Sequence, residues 1–373
     1  MESDKHKPSG EDQPSGEDKQ SKEAKATNED YEVIRNYLGP RSSIFLDLID
    51  TQDKVKNDPA ADEHFKRLKE SIMKVSQDKQ FGFFKMGARI CSEMQQKQDI
   101  IPRPQRTVQL KAFDICMAPG AFSHVIFNVN RFAEIRALTL PKEDGGHELL
   151  LPNWETDRRF KVHFLDVTML PAAMGFPDLI PTDHPQAAKF SNEFHYKNEA
   201  FDIVFCDGAV LHTHDRGQET PGEAVRLSSA QLVLGLQNLK SAGTFVILLH
   251  QAYSPHSVRL IAAFKKFARV TLFKPTVSHR NRSSFYLIAK NVETTSPEAK
   301  NFIRSHRLKW LRKTVESFDL KMPEIEPQEE EEPMESIISA IGDELIRLAE
   351  PLWQIQIVAM KQLFLKPKPT QEE

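Results

Sequence analysis

The chain has 373 residues and a formal net charge of −3, and 39% of its residues are hydrophobic. This composition predicts a folded core in one large domain with appendages or in two domains, and it excludes a protein that is basic throughout, so any RNA contact must come from a local patch. A polar N-terminus without a secretory signal, no run of about 18 apolar residues, and three cysteines without metal or disulfide spacing predict an intracellular protein, nuclear or cytoplasmic, with no membrane span.

The first 105 residues fall into two segments. Residues 1–30 are of low complexity, contain the sequence Pro-Ser-Gly-Glu-Asp twice, and are predicted to be disordered because they cannot bury enough apolar surface. Residues 31–105 are predicted to be helical, since apolar residues recur at helical spacing between Ile44 and Ile49 and again between Phe65 and Val75.

From residue 106 to 293 the pattern changes to short apolar strands that alternate with helices. Such a pattern predicts an α/β fold with a mostly parallel sheet and helices on both faces. The clearest helix is 228–240, where Leu232, Leu236 and Leu239 share one face. Seven strands are predicted, at 108–117, 135–140, 161–167, 201–206, 244–249, 270–273 and 284–289.

Residues 294–373 are predicted to form a helical C-terminal extension. A basic helix at Phe302–Val315 is followed by an acidic linker at Glu324–Glu335 and by a last helix at 337–364. The apolar residues of this last helix recur near a 3.5-residue period, so it can pack on the main domain or serve a protein partner or self-association. The sequence leaves both alternatives open.

The most informative stretch of the chain is Phe113–Ser123. An apolar strand runs into the turn Ala118–Gly120, and an apolar helix follows. This order opens a doubly wound nucleotide-binding fold, in which the turn lets the backbone approach a ligand and the helix N-terminus presents free N–H groups. The glycine fingerprint of phosphate binding is absent, because Cys116 and Met117 stand where its glycines would fall.

Together with Asp114 on the strand, this stretch resembles motif I of the S-adenosylmethionine-dependent methyltransferases, in the form of the FtsJ/RrmJ-like RNA ribose 2′-O-methyltransferases. The resemblance covers about residues 81–293. It implies a Rossmann-like class I methyltransferase fold whose seventh strand enters antiparallel beside the sheet edge, S-adenosyl-L-methionine as the cofactor, and RNA as the partner. The cofactor-binding residues that it implies are Asp114, Ala118, Pro119, Gly120, Ala121, Phe122, Asp166 and Asp207.

Two of these carboxylates lie at the carboxyl ends of predicted strands, where a doubly wound sheet binds its ligand. Asp166 suits the adenine amine of the cofactor by family resemblance, and the alternative is a helix N-cap or a surface charge. Asp207 ends a strand that resembles the family's corresponding strand, and the alternative is a structural cap. The contact to the cofactor ribose stays open between Thr139 and an acid at Glu143 or Asp144.

The FtsJ-like ribose methyltransferases use a Lys-Asp-Lys-Glu tetrad, which helps to deprotonate the 2′-hydroxyl. Here Lys85 matches the first lysine, unless it is a plain surface residue, and Asp207 matches the aspartate. Leu248 replaces the second lysine and Ser284 the glutamate, so any ribose methylation is expected to be slow. His250 shares the strand face of Leu248 and is a candidate substitute base or a polar residue at the strand end.

A local basic run follows the fifth predicted strand and is expected to flank the cofactor crevice. Phosphate contacts need such local charge, although a solvated helix face explains each piece separately. The predicted RNA-binding residues are Lys265, Lys266, Lys274, Arg280 and Arg282.

The loop His212–Asp215 combines two histidines with an aspartate. It can be a substrate-facing loop or part of a metal site, but no further cluster of ligands has suitable spacing. We therefore expect no metal.

Three functions fit these patterns. The leading one is an S-adenosylmethionine-dependent RNA methyltransferase acting on ribose in rRNA, tRNA or the mRNA cap, because motif I and the Asp207 strand resemble that family. The missing tetrad members favour a non-catalytic domain that binds RNA or a protein. A methyltransferase acting on a more nucleophilic atom would not need the tetrad.

Overall fold

A computed structural model of the chain describes residues 16–73, 77–105, 109–181, 184–193, 195–197, 199–210, 222–325 and 331–365. The strands are β1 Lys111–Ile115, β2 Glu134–Thr139, β3 Phe160–Phe164, β4 Phe201–Cys206, β5 Leu239–His250, β6 Arg269–Phe273 and β7 Ser284–Val292. The helices are α1 Gly16–Leu38, α2 Ser43–Lys56, α3 Pro59–Met73, α4 Gln77–Gln98, α5 Ala121–Val129, α6 Pro171–Met174, α7 Glu223–Asn238, α8 Pro255–Lys265, α9 Pro297–Phe318 and α10 Met334–Phe364.

The seven strands form one sheet in the order β3–β2–β1–β4–β5–β7–β6. The pairs from β3 to β5 are parallel, and β7 runs antiparallel between β5 and β6. This is the Rossmann-like class I methyltransferase fold that the sequence predicts, with the seventh strand antiparallel beside the edge strand. Every predicted strand overlaps an observed one, and β5 begins five residues earlier than predicted.

Both faces of the sheet are covered by helices, because alternate residues of the buried strands point to opposite faces. Phe205, Val246 and Tyr286 belong to the cluster that packs beneath α4 and α5. Phe245 and Phe285, each one residue away, belong to the cluster on the other face, which packs against α7, α8 and α9. Strands that are buried on both faces explain the near-continuous apolar runs in the sequence.

The N-terminal and C-terminal extensions pack against each other and against α8 and β6. The ring of Phe45 in α2 lies 5.2 Å from that of Trp353 in α10, and Ser42 donates a hydrogen bond to Glu350 at 2.7 Å. Trp353 and Leu345 are buried in the core of the domain. The last helix therefore packs on the main domain, the first of the two alternatives that its sequence left open.

The boundary predicted at residue 30 lies inside α1. The helix begins at Gly16, so the predicted disorder of residues 16–30 is corrected. Ile34 and Leu38 are fully buried, and Asp30 forms an ion pair with Arg259 at 2.8 Å. These contacts fix the C-terminal part of α1. Each residue added to the helix towards the N-terminus then gains a backbone hydrogen bond, so the helix extends into polar sequence.

In the part of the chain that the structure describes, no helix combines the length and the apolar character that crossing a membrane requires.

Candidate active site

The carboxyl ends of β1 and β4 lie side by side at the centre of the sheet, where Ile115 pairs with Cys206. β2 and β3 continue the sheet from β1 on one side, and β5 continues it from β4 on the other. The strand order thus changes direction between β1 and β4, and in doubly wound sheets this switch point opens the crevice that binds the ligand. Asp114 and Asp207 belong to these two strand ends.

Asp114 ties β1 to the first turn of α5. Its Oδ2 accepts a hydrogen bond from the Ser123 hydroxyl at 2.7 Å, and the side chain is buried. Burial raises the pKa of this carboxyl to about 7. Asp114 therefore sets the position of the turn between strand and helix, and it adds an enclosed acidic group at the base of the crevice.

Asp207 lies at the end of β4 and accepts a hydrogen bond from the Tyr286 hydroxyl at 2.9 Å. Burial is the main reason that its pKa rises to about 7, and the neighbouring Asp114 raises it further. With respect to the described residues, neither carboxylate forms an ion pair with a lysine or arginine. Two enclosed acids that lack a cationic partner favour a positively charged ligand.

The predicted glycine turn is covered by another part of the chain. Gly120 has φ 101°, and a Cβ there would lie 3.1 Å from Leu151 and 3.3 Å from Leu149. The Leu150 amide also donates to the Pro119 carbonyl at 2.9 Å. This position thus requires glycine because the chain's own residues 149–151 approach it closely, and the approach of the turn to a ligand stays a prediction.

Two of the predicted cofactor-binding side chains pack in the core. Phe122 is 4% exposed, and its ring lies 5.3 Å from Phe205 in an edge-to-face arrangement. Ala121 faces Gly87 of α4, where an added Cβ would lie only 2.8 Å from that of Ala121. The apolar spacing of α5 explains this outcome, since the face that follows the turn is the face that α4 and the sheet bury. Their side chains thus belong to the core, and a contact of these two residues with the cofactor stays a prediction that would involve their backbone.

The end of β3 presents an aromatic residue as well as the predicted acid. Asp166 caps a short 3-10 helix, and its Oδ1 accepts hydrogen bonds from the Thr168 amide at 2.8 Å and hydroxyl at 2.7 Å. The N-cap alternative is thus the arrangement found. Phe164 is 46% exposed and meets the Trp154 ring edge-to-face at 5.8 Å. Neither aromatic residue is among the site residues predicted from the sequence, although an aromatic residue at a strand end was a usable signal.

The ribose candidates separate into a buried hydroxyl and surface acids. Thr139 is buried and accepts a hydrogen bond from the Ala118 amide at 3.3 Å. Glu143 and Asp144 lie in a short 3-10 helix, and Asp144 forms an ion pair with Lys189. Thr139 thus supports the turn after β1, as its place at the end of β2 allows.

The tetrad positions on β5 and β7 lie beside Asp207. Leu248 pairs with Tyr286, and His250 pairs with Ser284. Because the Tyr286 hydroxyl reaches Asp207, the positions of the aspartate, the second lysine and the glutamate share one end of the sheet. Tyr286 was missed as a site residue, although a buried phenol needs a hydrogen-bond partner and could have been assigned one from the strand pattern.

Lys85 stands apart from this group. It is exposed on α4, and its ammonium lies over the Phe81 ring at 4.3 Å from the centroid. Its surface environment matches the alternative that the sequence left open.

His250 is exposed at the end of β5. Partial desolvation of the ring by neighbouring residues, then the positive charges of Arg282 and Lys274, lower its pKa. A lowered pKa leaves the imidazole neutral near pH 7, so it can accept a proton.

Lys274 does not belong to the nucleic-acid face that the sequence predicts. It is 3% exposed, and its ammonium donates to the backbone carbonyls of Ser284, at 2.8 Å, and of Arg282. Burial lowers its pKa to about 8. Because these carbonyls occupy the ammonium, Lys274 fixes the loop between β6 and β7, and its predicted RNA contact is corrected.

The other residues of the basic run are divided between the two ends of the parallel strands. Since β5 ends at the crevice and α8 returns from it, Lys265 and Lys266 lie at the opposite edge. There they form ion pairs with Glu344 and Glu332. The expectation that these two lysines flank the crevice is therefore wrong. Arg280 and Arg282 are exposed in the loop between β6 and β7, at the crevice edge.

The loop His212–Asp215 lies outside the described residues. Among the residues that are described, no group of three or more His, Cys, Asp or Glu side chains is placed to hold a metal ion.

Comparison with known proteins agrees with this geometry. The sequence model of the FtsJ-like methyltransferase family matches residues 87–292, more than half of the chain. The chain belongs to the FtsJ-like methyltransferase family. The matched segment of this FtsJ-like chain runs from α4 to the end of β7, so α1 to α3, α9 and α10 lie outside it.

Two curated relatives are cap-specific mRNA (nucleoside-2'-O-)-methyltransferases. Methyltransferase 2 of this type from Drosophila melanogaster is 28% identical over 203 residues, which is 51% of this chain and 28% of that protein. Methyltransferase 1 of this type from Bos taurus is 24% identical over 218 residues, which is 56% of this chain and 25% of that protein. The matched segment thus spans about a quarter of the length of these relatives.

Two solved structures align with about half of the chain. An rRNA methylase from Streptococcus thermophilus is 9% identical, covering 56% of this chain and 95% of its own, with a TM-score of 0.32. A fibrillarin/Nop5p complex is 14% identical, covering 55% and 82%, with a TM-score of 0.35. Scores this low carry no argument, and the fold rests on the strand order and register.

Proposed function

We propose that this FtsJ-like chain transfers a methyl group from S-adenosyl-L-methionine to the 2′-oxygen of an RNA ribose. The observation that carries the proposal is Asp207, held by Tyr286 at the switch point of the sheet and without a cationic partner among the described residues. Family membership and two relatives named as mRNA 2'-O-methyltransferases support the choice of RNA ribose.

The residues at the crevice fit this cofactor. Asp114 and Asp207 form an acidic pair that a sulfonium cation would compensate, since each carboxylate ionises more readily beside a positive charge. At the end of β3, Phe164 and Trp154 offer an aromatic wall for the adenine ring. When bound, the cofactor supplies a methyl group that its sulfonium makes electrophilic.

The chain's own part in the transfer is to orient the ribose and to take a proton from its hydroxyl. Leu248 has no group that can accept a proton or stabilise an alkoxide, and Ser284 is buried. His250, opposite Ser284 on β5, is the neutral base nearest to these positions on the strand. A single general-base contribution is worth about 10²–10⁴-fold, so we propose methylation that is slow and depends on His250.

A second candidate function is a non-catalytic module that keeps the cofactor fold and binds RNA or a protein. Leu248 and Ser284 favour it, because both replace groups that the family's tetrad supplies.

Isotope-labelled methyl transfer tests the proposal. The full chain is incubated with deuteromethyl-labelled S-adenosyl-L-methionine and separate pools of rRNA, tRNA, and capped and uncapped mRNA, and the digested nucleosides are analysed by mass spectrometry. We expect labelled 2′-O-methylnucleosides from at least one pool. Label on a base alone would contradict ribose as the target, and no label despite cofactor binding would favour the non-catalytic module.

A further inference from the structure

A cavity of about 580 Å³ lies beside the crevice, between α1, α2 and the segment that follows β5. Most of its lining comes from the N-terminal extension, outside the part of the chain that the family shares. Gln251, which follows directly on His250, forms part of its wall. Consecutive Cα atoms are about 3.8 Å apart, so the wall of the cavity begins beside the end of β5 that carries His250.

Two tyrosines and two glutamines shape the inner part of the cavity. Tyr31 donates its hydroxyl proton to the amide oxygen of Gln251 at 3.0 Å. Tyr253 donates to the amide oxygen of Gln52 at 2.7 Å. Each pair uses an amide oxygen, so both amide NH₂ groups still have donors for a ligand. The half-buried Tyr31 ring adds flat apolar surface of the kind on which nucleobases stack, while the Tyr253 ring is buried against Phe45.

Three charged side chains line the outer part of the cavity. Glu32, Arg35 and Asp53 form no ion pair with another described residue. Two carboxylates and one guanidinium give a net negative wall, which disfavours a phosphate and favours a ligand rich in hydrogen-bond donors. Guanine matches this set best, because its N1–H and N2–H₂ groups suit a carboxylate and its O6 and N7 suit Arg35 or a glutamine amide.

We propose that this cavity binds a guanine base of the RNA substrate, on the nucleotide next to the one whose ribose faces His250. The inference rests on the proposed function and adds a base specificity to it. The extension helices would then select the RNA while the sheet carries the cofactor.

Equilibrium binding of short RNAs tests the inference with the full chain. The probes are fluorescein-labelled hexauridylate and hexamers in which one guanosine or one adenosine replaces each uridine in turn, compared at a fixed salt concentration. We expect one guanosine position to bind about 10-fold more tightly than the matched adenosine, the discrimination of one good bidentate base contact. The double variant Glu32→Gln, Asp53→Asn should reduce that preference to 2-fold or less, in line with the loss of both acceptors.

The matched control is the double variant Glu29→Gln, Asp50→Asn, which removes the same charge from the same two helices outside the cavity. Glu29 is exposed, and Asp50 pairs only with Lys54 across an exposed helix turn. The control should keep the preference, and both variants should bind S-adenosyl-L-methionine like the wild type. Equal binding of all hexamers, a preference for adenosine, or a preference that survives in the cavity variant would overturn the inference alone. Failure of the wild type to bind any of these RNAs would contradict the proposed function as well.

Discussion

The two halves of the crevice differ in how far they keep the chemistry of the family. On the β1–β4 side, Asp114 and Asp207 stand at adjacent strand ends, enclosed and ready for a cationic ligand. On the β5–β7 side, Leu248 and Ser284 occupy the positions to which the resemblance assigns the tetrad's second lysine and glutamate, and His250 pairs with Ser284. Under the proposed function, cofactor binding and proton removal therefore depend on different side chains and can be tested separately.

Removing His250 should have the largest effect on this comparison. If His250 takes the ribose proton, His250→Ala should lower the methylation rate by about 10²-fold or more with little change in cofactor affinity. In the wild type, the methylation rate should decrease as the pH is lowered from 8 to 5, because the imidazole becomes protonated. An unchanged rate and pH profile in the variant would assign proton removal to another group.

Restoring the tetrad sharpens the same comparison. Leu248→Lys with Ser284→Glu should raise the rate only if the surrounding geometry has been kept, since Leu248 lies opposite the Tyr286 that binds Asp207. The matched control is Leu248→Met with Ser284→Ala, which changes the same two positions without charge. A control that accelerates methylation as much as the charged pair would show that packing, not a tetrad, is being restored.

The pH dependence of cofactor affinity probes the acidic half. Burial raises the pKa of Asp207 to about 7, and a cationic ligand binds the ionised form. Affinity for S-adenosyl-L-methionine should therefore rise by about 10-fold between pH 6 and pH 8. Calorimetry in buffers of different ionisation enthalpy should also detect proton release below pH 7. A flat affinity profile would mean that Asp207 does not change its charge on binding.

Replacing Gly120 in the turn and Gly82 in a helix by alanine compares how strongly the two backbone positions require glycine. Gly120 has φ 101° and little space above it, so Gly120→Ala should lower the free energy of unfolding by about 1–3 kcal/mol. Gly82 lies in α4 with no atom within 4 Å of its added Cβ, so Gly82→Ala should raise that free energy by roughly 0.5–1 kcal/mol. Urea unfolding measures both, and equal effects would show that the turn is not constrained.

The salt dependence of RNA binding gives the smallest expected effect. Arg280→Gln with Arg282→Gln should reduce the slope of log K against log salt by about 1.4, or 0.7 for each phosphate contact on a single strand. Lys265→Gln with Lys266→Gln should leave it unchanged, because those lysines pair with glutamates at the far edge of the sheet. A larger change in the slope from the lysine pair would contradict this placement and would locate the RNA beside Lys265 and Lys266.

The sequence predicted the fold well because seven apolar strands and one strand–turn–helix motif constrain it strongly. It predicted less of the site, since burial depends on contacts between distant segments. Phe122 looked like a ligand contact beside the turn, but its side chain packs under α4. Lys274 looked like part of a basic surface, but it is buried and donates to the backbone carbonyls of Arg282 and Ser284. The direction of α8, which separates Lys265 from Arg280, follows from the sheet and not from spacing along the chain.

Titration of S-adenosyl-L-methionine into the chain by calorimetry, with Asp207→Asn beside it, tests the central claim most directly. The amide keeps the hydrogen bond from Tyr286 but loses the charge, and Asp178→Asn removes an exposed carboxylate as the control. We predict one cofactor bound by the wild type and by the control, with affinity reduced about 30-fold or more in Asp207→Asn, as expected when one partner of a buried charge pair is lost. No binding by the wild type, or equal binding by Asp207→Asn, would contradict the account.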